Sequence, residues 1–155
     1  MDNFKVVDLK KEDGLVKEYI ALRNKYTDLL LTDPVSLKDT LEWLKKTDAQ
    51  IRVLLKDNIV EGVVILYINR EGEVAFFSRA SNKGAGTQLL GIAEDVAKDL
   101  GMSSIWAFVL KTNTIAQHVF EKCGFKKEAE VVRKFNGEDK PGFRYIKNVK
   151  GKTNA

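Results

Sequence analysis

Residues 73 to 110 constrain the fold more tightly than any other part of the chain. An apolar run from Glu73 to Ser78 enters a polar loop, Arg79-Ala80-Ser81-Asn82-Lys83-Gly84-Ala85-Gly86-Thr87, from which a helix should run from Gly84 to Leu100. Leu89, Ala93, Val96, Ala97 and Leu100 recur at helical spacing. Gln88, Glu94, Asp95, Lys98 and Asp99 form the wet face, and Gly101 suits a left-handed cap. Ile105-Trp106-Ala107-Phe108-Val109-Leu110 is then almost unbroken in its apolarity, the pattern of a strand buried on both faces. Strand, loop, helix and strand predict a βαβ unit with a right-handed crossover, and the loop then lies at the carboxyl ends of the strands, where open α/β sheets bind ligands. The loop has the chemistry of a phosphate site: Gly84 and Gly86 permit a sharp turn and a close backbone approach, the helix offers unpaired N–H groups, and Lys83 adds a charge. A purely structural turn remains the alternative. A dinucleotide site would want a third glycine where Leu89 stands, and a P-loop would want Gly-Lys-Ser or Gly-Lys-Thr, which is absent.

The rest of the chain supplies further strands and helices. Phe4 to Leu9 reads as a first strand, and Leu15, Tyr19, Ile20 and Leu22 make an apolar stripe for a helix from about Leu15 to Lys25. Tyr26 to Pro34 reads as a loop. Ser36 caps a second helix with Asp39 in its first turn, with Leu37, Leu41 and Leu44 as its apolar face and Trp43 at the edge. Strands at Ile51 to Lys56 and Ile59 to Asn69 are joined by Asp57-Asn58, suited to a tight hairpin turn, and Arg70-Glu71-Gly72 turns the chain into the next strand. After Phe125, Lys127 to Phe135 and Phe143 to Val149 read as a hairpin joined by Asn136 to Gly142. The expected class is α/β with a mixed sheet, of the α+β kind, with about seven strands flanked by about four helices.

Length and composition, 155 residues with 44% hydrophobic and 31% charged, fit one domain over 1-149 and a basic tail over 150-155. The net charge of +4 is concentrated after Asp139, in Lys140, Arg144, Lys147, Lys150 and Lys152, which reads as a solvated tail and not a nucleic-acid face. No leader pattern and no membrane-length apolar run is seen, so the expectation is a cytoplasmic protein with no membrane partner. The single cysteine, Cys123, excludes an internal disulfide and a cysteine zinc cluster, and no metal site is expected. His118, five residues away on one helix, points in a different direction, so a Cys-His hydrolase is not expected either.

The glycine loop resembles the pyrophosphate-binding loop of the GNAT superfamily, the Gcn5-related N-acetyltransferases, with Ser81, Gly84 and Gly86 in its three slots. Ser81 departs from the usual Gln or Arg. Asn113-Thr114-Ile115-Ala116-Gln117-His118-Val119-Phe120-Glu121-Lys122-Cys123-Gly124-Phe125 resembles a later motif of that family, matched at Asn113, Ala116, Gly124 and Phe125. The resemblance implies acetyl-CoA as co-substrate, held between splayed fourth and fifth strands by Phe76, Phe77, Ser78, Ser81, Asn82, Lys83, Gly84, Ala85, Gly86, Thr87, Asn113, Ala116 and Phe120. It also implies transfer of acetyl to a primary amine, with a backbone N–H near Phe77 or Ser78 holding the developing oxyanion. Phe120 occupies a position where family members often place a proton-donating Tyr. It would pack on the pantetheine while water or another tyrosine gives the proton. Glu73 is the candidate base, acting directly or through water, or else an idle surface carboxylate at a strand start.

Leu22-Arg23-Asn24, Pro34-Val35-Ser36-Leu37-Lys38, Leu41-Glu42-Trp43-Leu44 and Ala107 to Asn113 resemble the branch that acetylates nucleotide-linked aminosugars, although stretches similar to the first three occur in the ribosomal-protein acetyltransferase branch as well. Enzymes acetylating a ribosomal-protein N-terminus of the S18 type carry glutamate at the position of Phe108, and its absence counts against that substrate. The expected partner is a small-molecule amine, a nucleotide sugar first among the candidates, in a monomer or homodimer. Arg23, Asn24, Arg133 and Tyr145 are the candidate acceptor-binding residues, with ordinary structural roles as the alternative. A protein N-terminal or lysine amine, another small amine, or an acetyl-CoA-binding sensor or scaffold domain remain open.

Overall fold

The computed structural model describes residues 4–79 and 84–149. Seven strands, β1 (Phe4–Asp8), β2 (Gln50–Lys56), β3 (Ile59–Tyr67), β4 (Glu73–Ser78), β5 (Ser104–Leu110), β6 (Lys126–Phe135) and β7 (Glu138–Asn148), form one sheet in the order β1-β2-β3-β4-β5-β7-β6. The helices are α1 (Val16–Arg23), a single turn α2 (Thr27–Leu30), α3 (Leu37–Lys46), α4 (Ala85–Asp99) and α5 (Thr114–Lys122). All neighbouring strands are antiparallel except β4 and β5, which run parallel and share a single pairing, Glu73 with Trp106. This is the expected mixed sheet, and α4 makes the expected crossover.

Local chemistry sets the turns. Asp57 (φ 51°) and Asn58 (φ 67°) are both left-handed, as a two-residue type I′ turn requires. Asn136 (φ 52°) and Gly137 (φ 78°) do the same between β6 and β7. This corrects the expected long connection: the Asn-Gly pair closes the hairpin in two residues, so residues 138–142 enter β7. The segment expected to be a loop before Pro34 contains the single turn of α2.

Two cores lie on opposite faces of the sheet. Leu89, Leu90, Ala93 and Ala97 of α4 and Phe120 of α5 pack on Val74, Ile105, Ala107 and Val109. On the other face Val16, Tyr19 and Leu22 of α1 pack on Ile51, Val53, Val63 and Phe77, which come from β2, β3 and β4. Ser36 caps α3 as expected, its Oγ accepting the Asp39 N–H at 3.1 Å. The helix is turned from its expected face, however: Thr40 is buried with Trp43 and Leu44 against the core, and Leu37 and Leu41 are exposed. Leu100 is exposed as well, because it lies beyond the last turn of α4, and Leu90 takes the inward position.

β5 departs from the expectation of burial on both faces. Ile105, Ala107 and Val109 face α4, but Trp106 and Phe108 are only half-buried. Guanidinium groups cover them in place of a helix: Arg144 lies 4.2 Å from the Trp106 ring centre and Arg133 4.6 Å from that of Phe108. Gly142 on β7 makes this possible, since a Cβ there would sit 2.5 Å from both Phe108 Cζ and the Val109 carbonyl oxygen. Gly142→Ala is therefore expected to cost about 1–3 kcal/mol and to push the Phe108 ring off its seat. Urea unfolding measures the loss, and a variant as stable as the parent would show that the ring has room to move.

Candidate active site

The opening between β4 and β5 follows from strand register. The Arg79 N–H donates to the Glu61 carbonyl at 2.8 Å, and the Gly72 carbonyl accepts from the Trp106 N–H at 3.1 Å. Peptide groups alternate along a strand, so those of Glu73, Ala75 and Phe77 point to β3, and those of Val74, Phe76 and Ser78 point the other way. Pairing with β5 stops at Glu73, so the N–H groups of Phe76 and Ser78 face the opening with no strand partner among the described residues. Of the two expected oxyanion donors, the structure thus turns the Ser78 N–H toward the opening and the Phe77 N–H toward β3.

A cavity of ≈ 500 Å3 fills the opening, lined among others by Tyr26, Glu73, Phe76, Phe77, Ser78, Gly84, Gly86, Asn113, Ala116, Phe120 and Arg133. Gly86 lets α4, β4 and α5 converge: a Cβ there would lie 3.0 Å from Phe76 Cε1 and 3.1 Å from Val119 Cγ1. Gly84 caps α4 with φ +91° and nothing within 4 Å of an added Cβ, so its requirement is conformational alone. Gly84→Ala is expected to cost about 1–2 kcal/mol, read as a lowered Tm; an unchanged Tm would mean that the chain enters the helix another way. Ala85 is fully buried, and neither it nor Thr87 lines the cavity, but their N–H groups belong to the unpaired first turn of α4. Ser81, Asn82 and Lys83 lie outside the described residues.

Asn113 caps α5, its Oδ1 accepting the Ala116 N–H at 3.1 Å, which gives the Asn and Ala of that motif a local structural reason. Phe120 is 3% exposed and sits in an aromatic cluster, with ring centres 5.0 Å from Phe125, 5.5 Å from Phe76 and 5.9 Å from Tyr145.

Glu73 is not a surface carboxylate. It is 5% exposed, with Oε2 accepting from Arg133 Nη2 at 2.8 Å and Oε1 from Arg70 Nη1 at 3.4 Å. Sequence reading missed Arg70, which it treated as part of a turn, although its spacing of three from Glu73 was a signal. The guanidinium of Arg70 also stacks 4.2 Å from the Tyr67 ring centre. Burial pushes the Tyr67 phenol up, while the charges of Arg70, Arg23 and Arg133 pull it back. Glu73 and Arg133 also border a second cavity of ≈ 560 Å3, shallow and widely open to solvent, with Leu31, Asn69, Arg70, Glu71 and Trp106.

Other expected site residues lie elsewhere. Tyr145 is fully buried under Phe120 and donates to Glu121 Oε2 at 2.6 Å, so it cannot reach the side where Arg133 lies. Burial, then the Glu121 carboxylate, push its phenol well up, which keeps it protonated. Arg23 donates to Thr32 Oγ1 at 2.8 Å and to the Asp33 carbonyl at 3.3 Å, and Asn24 exchanges two hydrogen bonds with the Val35 backbone. Both brace the segment after α2 and line neither cavity. Their neighbour Tyr26, also missed, does line the opening, and its hydroxyl donates to the Ser78 carbonyl at 2.6 Å.

No group of three or more potential metal ligands occurs among the described residues, and no helix among them is long and apolar enough to cross a membrane. The family model described as acetyltransferase (GNAT) family matches residues 17–125. The Bacillus subtilis protein YwnH, provisionally named a phosphinothricin acetyltransferase, is 29% identical over 132 residues, which is 76% of this chain and 78% of that one. Among solved structures, spermidine N-acetyltransferase from Vibrio cholerae in complex with CoA and spermine superposes with a TM-score of 0.79 at 22% identity, covering 94% of this chain and 95% of that one. Phosphinothricin acetyltransferase from Sinorhizobium meliloti in complex with acetyl-CoA gives 0.81 at 13% identity, covering 98% and 92%. At such identities the two superpositions speak to the fold.

Proposed function

The chain belongs to the acetyltransferase (GNAT) family, and from that premise we propose that it transfers acetyl from acetyl-CoA to the primary amine of a small molecule. A nucleotide-linked aminosugar is the first acceptor to try. The observation that carries this reading is the splay of β4 from β5, which leaves the Phe76 and Ser78 N–H groups facing a cavity that begins at the N-terminus of α4.

The residues present fit acetyl-CoA. Gly86 leaves no side chain between α4 and the opening, and the first-turn N–H groups of α4 suit a diphosphate. The backbone of Phe76 can pair with an amide of a pantetheine, with Asn113, Ala116 and Phe120 as the far wall. Bound there, acetyl-CoA supplies an acetyl group activated as a thioester.

The chain's own residues do the rest. Ser78 offers its N–H to an oxygen that becomes negative, in an opening closed by apolar side chains, where such a donor counts for more than in water. Glu73, the carboxylate that lines both cavities, takes a proton from an incoming amine in this reading. Tyr26 lines the opening, and its hydroxyl, turned from the Ser78 carbonyl to which it donates, would give the proton that Phe120 lacks.

The relatives differ in the acceptor they are named for, spermidine in one and phosphinothricin in others. The test is calorimetry with acetyl-CoA, followed by thiol release over a panel of UDP-aminosugars, phosphinothricin and spermidine. Heat of binding with turnover of at least one amine is expected. Binding without turnover of any amine would favour a sensor or scaffold, and no heat at all would remove the coenzyme from the account.

A further inference from the structure

Among the described residues, the sheet face that carries no helix over β5, β7 and β6 bears three guanidinium groups, each seated on an aromatic ring. Arg70 lies 4.2 Å from Tyr67, Arg133 4.6 Å from Phe108 and Arg144 4.2 Å from Trp106. Stacking uses the flat of a guanidinium and leaves its edge, with up to about five N–H donors, free to bind. The ion pairs spend only one nitrogen of each: Arg133 Nη2 on Glu73 at 2.8 Å, Arg70 Nη1 on Glu73 at 3.4 Å and Arg144 Nε on Glu128 at 3.2 Å. Arg70 is the least committed, with a long contact and a side chain 54% exposed on the wall of the ≈ 560 Å3 cavity.

We propose that this cavity binds the anionic group, carboxylate or phosphate, of the acceptor, with Arg70 as its principal ligand and Arg133 beside it, leaving the amine directed toward Glu73. The proposal rests on the acetyltransferase reading above and names the acceptor's chemical class. An acidic group matches a guanidinium edge in geometry and takes two donors at once. A polycationic acceptor finds little here. Its ammonium groups would seek open aromatic faces, yet Tyr67, Trp106 and Phe108 already carry guanidinium groups. Glu71, the other carboxylate of the rim, is exposed to solvent. Glu73 and Arg133 line both this cavity and the opening where acetyl is offered, so the two adjoin at these side chains.

The test uses the full chain with saturating acetyl-CoA and three acceptor arms: free amino acids including phosphinothricin against their neutral amides, UDP-aminosugars against the free aminosugars, and spermidine. The expected result is kcat/KM at least about tenfold higher for the anionic member of one pair, and that pair identifies carboxylate or phosphate as the group bound. Arg70→Ala should raise KM for that acceptor about tenfold, change KM for its neutral counterpart much less, and leave the calorimetric Kd of acetyl-CoA unchanged, with Arg70→Lys recovering part of the loss. Spermidine or a neutral amine used as well as its anionic partner would overturn the proposal. So would an Arg70→Ala effect equal on both members of the pair. Coenzyme binding with turnover indifferent to acceptor charge defeats only this inference, whereas failure of acetyl-CoA to bind defeats the underlying reading too.

Discussion

Phe120→Ala is expected to destabilise the folded chain by about 3–5 kcal/mol and to lower Tm on the order of 10 °C. The ring is 3% exposed, and three aromatic rings, Phe76, Phe125 and Tyr145, have their centres within 6 Å of its own. Removing it leaves a hole at the junction of α5, β4, β7 and the segment after α5, where none of these elements can collapse without moving the others. Sequence alone suggested a milder outcome, weaker acetyl-CoA binding through lost packing on the pantetheine. The structure ranks the two effects: most of the ring faces other protein rings, and only part borders the opening. Phe120→Leu, which refills most of the volume, should recover more than half of the lost stability. Thermal unfolding of both variants decides it, and a Phe120→Ala protein melting within a few degrees of the parent would show that the aromatic cluster is not close-packed.

What the sequence disclosed and what it hid divide along sequence separation. The strand ending at Ser78, the glycine-started helix and the cap at Ser36 each depend on residues a few positions apart, and each formed close to the expected bounds. Glu73 and Arg133 are sixty residues apart, and only the insertion of β7 between β5 and β6 brings the edge hairpin's arginine over β5. No local pattern encodes that order. The same absence hid the fate of the apolar run in β5, since a tryptophan and a phenylalanine under arginine look in sequence like any other buried pair. Tyr145 illustrates the strand's two-residue period: Arg144 beside it faces Trp106, so Tyr145 must face α5. Tyr26 was hidden for another reason. A hydroxyl bonded to a carbonyl fifty-two residues later shows up in sequence only as one more loop aromatic.

Glu73→Gln is expected to lower kcat/KM by about 10²-fold or more, while Tm moves little. The amide keeps the shape of the side chain and one acceptor oxygen for Arg133, so the wall between the two cavities stays in place and the charge alone is lost. Two guanidinium contacts do not exhaust a carboxylate, which has about four lone-pair sites, so an amine or a bridging water can still be received. The arginines also fix the carboxylate in one orientation at the point where β4 parts from β5, which is what a proton acceptor at this junction needs. A different result would assign the residue differently. If kcat of Glu73→Gln matches that of the parent and only KM for the acceptor rises, Glu73 is a positioning residue that holds Arg70 and Arg133 in place, and the amine must lose its proton to solvent before it enters.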